Sequence, residues 1–294
     1  MLKSKYFAHV SAVFTVIIWG TTFVSTKVLL NSFTPIEILF IRFCIGFLAL
    51  FLFYPKRLQP KNRTERLYFM GAGLTGVTLY FLFENIALNY SLASNIGVIV
   101  STAPFFTAIL SHFLIKDIKI HRNFMIGFVF AIIGIALISF QGSDSIEVNP
   151  IGDFLAVLSA MVWACYSILM RKISTFHYPT VQSTRIIFFY GLLFMIPCLF
   201  FMDFSPTLEQ FKDPVNLFNL IYLGLGASAI CFVSWNYTIK VLGAIRSSAY
   251  IYLVPVVTVL FSWIILDEPI SSSILIGSAL TLFGLFISER RKTN

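Results

Sequence analysis

Formal charge is scarce in this chain. Asp, Glu, Lys and Arg make up 12% of its 294 residues, against about 25% in an ordinary soluble domain. Apolar residues reach 58% and Phe alone numbers 33, so too little polar material is left to build a water-soluble surface. Paired cysteines are lacking too. Cys44, Cys165, Cys198 and Cys231 lie inside apolar runs at unrelated spacings, which excludes a disulfide frame or thiolate metal site and makes them small hydrophobes. His9, His112, His121 and His177 are scattered near the ends of those runs, with no i, i+4 pair and no acid cluster beside them. No metal site is expected. There is no Walker A loop, so ATP is not the obvious energy source, and no Ser/His/acid set falls in one place. With no catalytic residue and no cofactor to expect, the chain is read as a non-enzyme.

What is abundant is long apolar sequence, with a mean hydropathy of +0.87. Ten stretches come close to the roughly 20 residues a helix needs to cross the hydrocarbon core: 8–30, 34–54, 67–88, 92–115, 123–141, 151–172, 179–202, 216–239, 244–266 and 270–288. The fold class predicted is an all-α integral membrane protein with ten transmembrane helices. The first run follows Lys3 and Lys5 as a signal peptide would. It continues to about Leu30 without an A-x-A-like site, so it is read as a span.

Basic residues alternate along the chain. With the N-terminus inside, the inner segments carry Lys3 and Lys5; Lys56, Arg57, Lys61, Arg63 and Arg66; Lys116, Lys119 and Arg122; Arg171 and Lys172; Lys240 and Arg246; and Arg290, Arg291 and Lys292. The outer loops hold only Lys212. The positive-inside rule then predicts a multi-pass protein of the cell membrane (the inner membrane in a bacterium) with both termini cytoplasmic. The net charge of +8 is accounted for by topology signals and lipid headgroups, with no nucleic-acid partner.

The chain also repeats itself. Trp19 and Trp163 are 144 residues apart, as are Pro35 and Pro179; Asn85 and Asn236, Ala93 and Ala244, and Pro104 and Pro255 are separated by 151; Gly127 and Gly277, and Gly134 and Gly284, by 150. Five spans per half is an odd number, so the halves, 1–142 and 143–294, must enter the membrane from opposite sides. Inverted five-helix repeats of this kind mark transporters with a solute site near the midplane.

The residues W-G-T-T-F at 19–23, Arg42–Phe43, E-N-I-A-L-N-Y at 84–90, S-T-A-P-F-F at 101–106, K-D-I-K-I from 116 and D-E-P-I from 267 carry a resemblance. Over essentially its whole length the chain resembles the EamA-type members of the drug/metabolite transporter superfamily. That resemblance implies two inverted five-helix repeats around a central cavity, lined mainly by spans 1, 3, 4, 6, 8 and 9. It also implies movement of small metabolites such as amino acids, more often outward than inward.

A carboxylate inside the third span needs an explanation, since a charge at mid-bilayer costs about 2.5–3.5 kcal/mol. Gly73, Gly76, Tyr80 and Glu84 share one helix face, and Glu84 lies roughly 7 Å from the outer boundary at 1.5 Å per residue. Lys27 lies at a similar depth, so a Glu84–Lys27 pair is expected, with Glu37 as a rival partner for Lys27. Glu84 is open to three readings: a structural ion pair or rim group, a contact for a cationic or amino-bearing solute, and a proton-coupling carboxylate. Its repeat mate is Trp235, which makes the cavity chemically lopsided. Arg42 and Arg185 are read as structural, snorkelling or bonding backbone carbonyls.

Trp19, Tyr80, Trp163, Tyr166 and Trp235 fall on spans that the resemblance assigns to the cavity. With Glu84 and Asn236 they form the candidate substrate-binding set, suited to flat or amphipathic solutes and to cation–π contact with an ammonium group. Each aromatic has interhelical packing as its plainer role. Pro104 and Pro255 are repeat-related bend points or hinges. The glycines of spans 5 and 10 serve close packing, between halves or between protomers. The function expected is secondary transport, as a monomer or homodimer in the bilayer. The alternatives are nucleotide-sugar-type exchange, flipping of a lipid-linked molecule and, in another class, a membrane-embedded enzyme or structural subunit.

Overall fold

The computed structural model describes residues 2–115, 122–139 and 150–289, and these form helices and turns with no strand. Among the described residues, helices overlap each of the predicted stretches: α1 (Leu2–Leu29), α2 (Pro35–Phe53), α3 (Arg63–Tyr90), α4 (Ala93–Ile115), α5 (Arg122–Ser139), α6 (Pro150–Ser174), α7 (Thr180–Phe201), α8 (Pro214–Leu242), α9 (Ala244–Leu266) and α10 (Ser272–Glu289). Eight of them are long and apolar enough to cross a membrane; α5 and α10 hold shorter apolar stretches, Met125–Gly134 and Ser272–Gly284. The protein is therefore a multi-pass membrane protein. The K-D-I-K-I stretch, His121, the basic residues 290–292 and the predicted division at 142/143 lie outside the described residues.

The helix starts follow from capping chemistry. Thr34 and Glu37 form a capping box ahead of Pro35, which satisfies two of the otherwise orphaned N–H groups while the proline costs none. Asn62 caps α3 through Glu65 N and so starts that helix a turn earlier than its apolar run. Asp213 does the same for α8, with Pro214 at the first helical position. Gly243, at φ +85°, makes the turn between α8 and α9, a conformation that suits a residue without Cβ.

Four helices are not regular, and they come as two pairs. Within α3 the segment Leu74–Leu79 is π-helical, and within α8 so is Tyr222–Ile230. α4 breaks at residues 101–102 between Ala93–Val100 and Ala103–Ile115, while α9 passes through a 3-10 turn at Ala249–Leu253 before Val254–Leu266. Pro104 and Pro255 each stand second in the piece that follows the break. In a first turn, the missing N–H is one that no carbonyl was due to receive. They mark where a helix restarts rather than a bend in a continuous one.

Helix contacts are reciprocal. α3 packs on α7 and α2 on α8; α3 packs on α6 and α1 on α8; α4 packs on α6 and α1 on α9; α5 packs on α10. A Cβ on Gly134 would meet Thr281 Oγ1 at 2.4 Å and Gly277 O at 2.5 Å, and one on Gly284 would meet Gly127 O at 2.4 Å. These glycines thus seat α5 and α10 against each other within one chain.

Candidate functional site

Where α1, α3, α4, α6 and α9 converge, Trp19, Thr22, Phe23, Tyr80, Phe81, Glu84, Val100, Ala103, Trp163, Ile251 and Val254 enclose a cavity. It spans about 440 Å³ including its mouth. Five of these eleven residues are aromatic. Trp19 and Trp163 meet edge to face with centroids 5.2 Å apart, and Tyr80 lies 4.7 Å from Trp163. Trp19 is held in place by its indole N–H, which donates to Ala227 O at 3.0 Å.

Glu84 is the charged group on that wall. It is 1% exposed, and its Oε1 has no hydrogen-bond partner. Its electrostatic surroundings are the Tyr80 hydroxyl and the Arg42 guanidinium. Arg42, 0% exposed, does not reach the cavity. Its Nε donates to Ser228 Oγ at 3.1 Å, its Cζ lies 4.3 Å from the Phe81 ring centroid, and Nη1 and Nη2 have no partner. No Glu84–Arg42 contact falls within ion-pair distance; among the described residues the ion pair is Lys212–Glu209.

The expected Glu84–Lys27 pair does not form. Lys27 donates instead to Leu88 O and Ser91 O at the end of α3. There the unpaired carbonyls and the negative end of the helix dipole attract a cation. Glu37 is no partner for Lys27 either, because it accepts from Thr34 N and Ser205 N, both at 2.8 Å. Glu268, at the end of α9, accepts from Ala93 N (2.8 Å), Ser94 N (3.0 Å) and Ser94 Oγ (2.7 Å) at the start of α4. Lys27 and Glu268 together tie down the α3–α4 corner, just beyond the Glu84 end of the cavity.

Of the candidate binding set, Trp19, Tyr80, Glu84 and Trp163 come together on the wall, whereas Tyr166, Trp235 and Asn236 do not reach it. Tyr166 donates to Asn236 Oδ1 at 2.6 Å, and Asn236 Nδ2 donates to Thr184 Oγ1 at 2.9 Å. This buried chain joins α6, α8 and α7, satisfying polar groups that would otherwise be costly there. Trp235 packs against Trp19, centroids 5.0 Å apart, and is 1% exposed. Arg185 takes the carbonyls of Tyr54 and Lys56, as the sequence predicts. Arg42 faces side chains instead.

Comparison with known proteins places this architecture. The profile of the EamA-like transporter family matches the chain in two stretches, residues 6–140 and 150–289. The chain belongs to the EamA-like transporter family. It is 26% identical over 288 residues to an "Uncharacterized transporter" of Archaeoglobus fulgidus, covering 97% of this chain and 98% of that one. It is 26% identical over 286 residues to a "Probable amino-acid metabolite efflux pump" of Escherichia coli K12, covering 95% and 93%. A crystal structure covering 96% of both chains shares the fold at a TM-score of 0.68 and 20% identity. This EamA-like protein is accordingly a membrane transporter of small-molecule solutes and not an enzyme.

Several wall residues of the EamA-like chain escape a reading by residue chemistry: Thr22, Phe23, Phe81, Val100, Ala103, Ile251 and Val254. The repeat contains the signal that finds four of them. Val100 and Ile251, and Ala103 and Val254, stand at the same 151-residue spacing as Pro104 and Pro255. Both broken helices therefore present equivalent positions to the cavity.

Proposed function

We propose that the protein is a secondary transporter that moves small amphipathic metabolites outward by alternating access, with the cavity between α1, α3, α4, α6 and α9 as its solute site. The observation that carries this reading is the buried Glu84, whose Oε1 is unpartnered inside an aromatic cavity. A carboxylate held there at a cost needs a role, and contact with the solute's polar end provides one. The name of the E. coli relative supports amino-acid metabolites as cargo. The two profile matches and the reciprocal helix contacts support two related halves; the odd number of spans expected in each half supports their inversion, and the count of basic residues supports cytoplasmic termini. The breaks ahead of Pro104 and Pro255 are natural flexure points for such a mechanism.

Solute uptake into proteoliposomes, across an amino-acid and amine panel and with or without a pH gradient, tests it. Wild type is expected to move at least one solute, and Glu84→Gln to lower the initial rate by about tenfold or more, the size expected when a contact worth about 1.4 kcal/mol is lost. A variant that loses only its pH dependence would make Glu84 the proton site instead. Equal rates for the two proteins would remove Glu84 from the mechanism.

A further inference from the structure

Charge on the cavity wall has one sign. Among the described residues that line it, Glu84 alone carries a formal charge, and the other polar atoms belong to Thr22, Tyr80, Trp19 and Trp163. Two of the donors are already committed. The Thr22 hydroxyl donates to Trp19 O at 2.7 Å, and Trp19 Nε1 to Ala227 O at 3.0 Å. The Tyr80 hydroxyl is turned to Glu84. What the wall offers a ligand is mostly electron-rich: the free Oε1, the lone pairs of Thr22, and the rings of Trp19, Tyr80 and Trp163.

Such a set complements an ammonium. A carboxylate supplies the counter-charge, and ring faces attract a desolvated cation. A carboxylate on the ligand would meet the reverse: repulsion from Glu84 and few donors to replace the water it gives up. Arg42 does not remedy this. Its Nε is bonded to Ser228 and its guanidinium lies over the Phe81 ring, off the wall. From there its charge eases the burial of an ionised Glu84 and leaves Oε1 free for the ligand.

We propose that the cavity selects solutes with a single ammonium-type cation on a small apolar or aromatic body and rejects those with a free carboxylate. Glu84 is the counter-ion, and Trp19, Tyr80 and Trp163 form the ring wall. The inference rests on the transport reading above and narrows its cargo to amines and amine-bearing neutral derivatives.

Three compounds with the same ring test it: 2-phenylethylamine, phenylalanine and phenylacetate. Each is titrated into the purified full chain in nanodiscs while tryptophan fluorescence is followed, since Trp19 and Trp163 report from the wall. The amine is expected to bind about tenfold or more tighter than phenylalanine, and phenylacetate to give no saturable change. Glu84→Gln should remove the amine's advantage. Phenylalanine binding as tightly as the amine, saturable phenylacetate binding, or no binding by any of the three overturns the proposal. The wild-type series decides this even where the variant fails to fold. Transport of an anionic solute in proteoliposomes would also overturn it while leaving the transporter reading intact. Amine binding without any transport would sink that reading alone.

Discussion

Arg42 and Glu84 are two opposite charges, both almost fully buried, that feel each other without touching. A guanidinium with Nη1 and Nη2 unpartnered is expensive in an apolar core. Its position 4.3 Å from the Phe81 centroid and 5.4 Å from that of Phe43 offsets part of the cost through cation–π contact, and the nearby carboxylate offsets more. Each group then depends on the other, because removing one leaves an uncompensated charge. Arg42→Met is expected to lower unfolding stability by about 3–5 kcal/mol, and the Arg42→Met/Glu84→Gln double variant by clearly less than the sum of the singles. A denaturation cycle in detergent measures this. Additivity to within about 0.5 kcal/mol would mean that the charges are independent. Read from sequence alone, Arg42 and Arg185 share one structural role, since both lie a similar distance into a span. Arg185 reaches the carbonyls of Tyr54 and Lys56, whereas Arg42 points at Ser228 and Phe81. Depth along a helix is legible in a sequence. The side of the helix that meets a given neighbour is fixed only once the bundle packs.

Among the elements, the α3–α4 corner gathers side-chain hydrogen bonds from several helices around one turn. Lys27 from α1 holds the carbonyls that end α3, and Glu268, two residues past α9, holds the amides that begin α4. α6 joins in through Asp153, which accepts from Ser91 Oγ at 3.4 Å. Groups from α1, α6 and the segment after α9 thus hold this corner, and moving it requires giving these bonds up. Glu268→Ala removes three of them and leaves two buried amides bare. Since hydrogen bonds to charged groups contribute about 1.5–3 kcal/mol each, amide exchange at residues 93–96 is expected to quicken by about a hundredfold or more, with exchange in α7 unchanged. Unaltered exchange at 93–96 would show that the corner is held by packing. Glu268→Gln, which keeps an acceptor, should lie between. Apolar runs put the starts of α3 and α8 at 67 and 216, a few residues late, because the helices begin instead at the capping residues Asn62 and Asp213. The π-helical segments at Leu74–Leu79 and Tyr222–Ile230 carry no comparable mark. An inserted residue in a helix is a response to what packs across from it, here including the Tyr166 ring, which lies where a Cβ on Gly76 would be, 2.1 Å from it.

At the scale of the whole molecule, the helix contacts come in reciprocal pairs. Exchange the halves, and α3 on α7 becomes α8 on α2; α3 on α6 becomes α8 on α1; α4 on α6 becomes α9 on α1. The glycines repeat this exchange, with Gly73 against Gly191 at the first crossing and Gly46 against Gly224 O at its counterpart. The cavity draws its wall from α1, α3 and α4 on one side of the sequence and from α6 and α9 on the other, and at the 151-residue spacing Glu84 is matched by Trp235. Inversion adds a stronger claim, that equivalent loops lie on opposite sides of the membrane. Lys61 and Lys212 test it well, because each immediately precedes the capping residue, Asn62 or Asp213, of an equivalent helix. In a background with Cys44, Cys165, Cys198 and Cys231 replaced, Lys212→Cys is expected to react with a membrane-impermeant thiol reagent in intact cells, and Lys61→Cys only after permeabilisation. Labelling of both from one side would leave the halves parallel, and alternating access by an inverted pair would have to be abandoned. Labelling from opposite sides but in the reverse sense would keep the inversion and overturn only the placement of the termini, against the count of basic residues that predicts it.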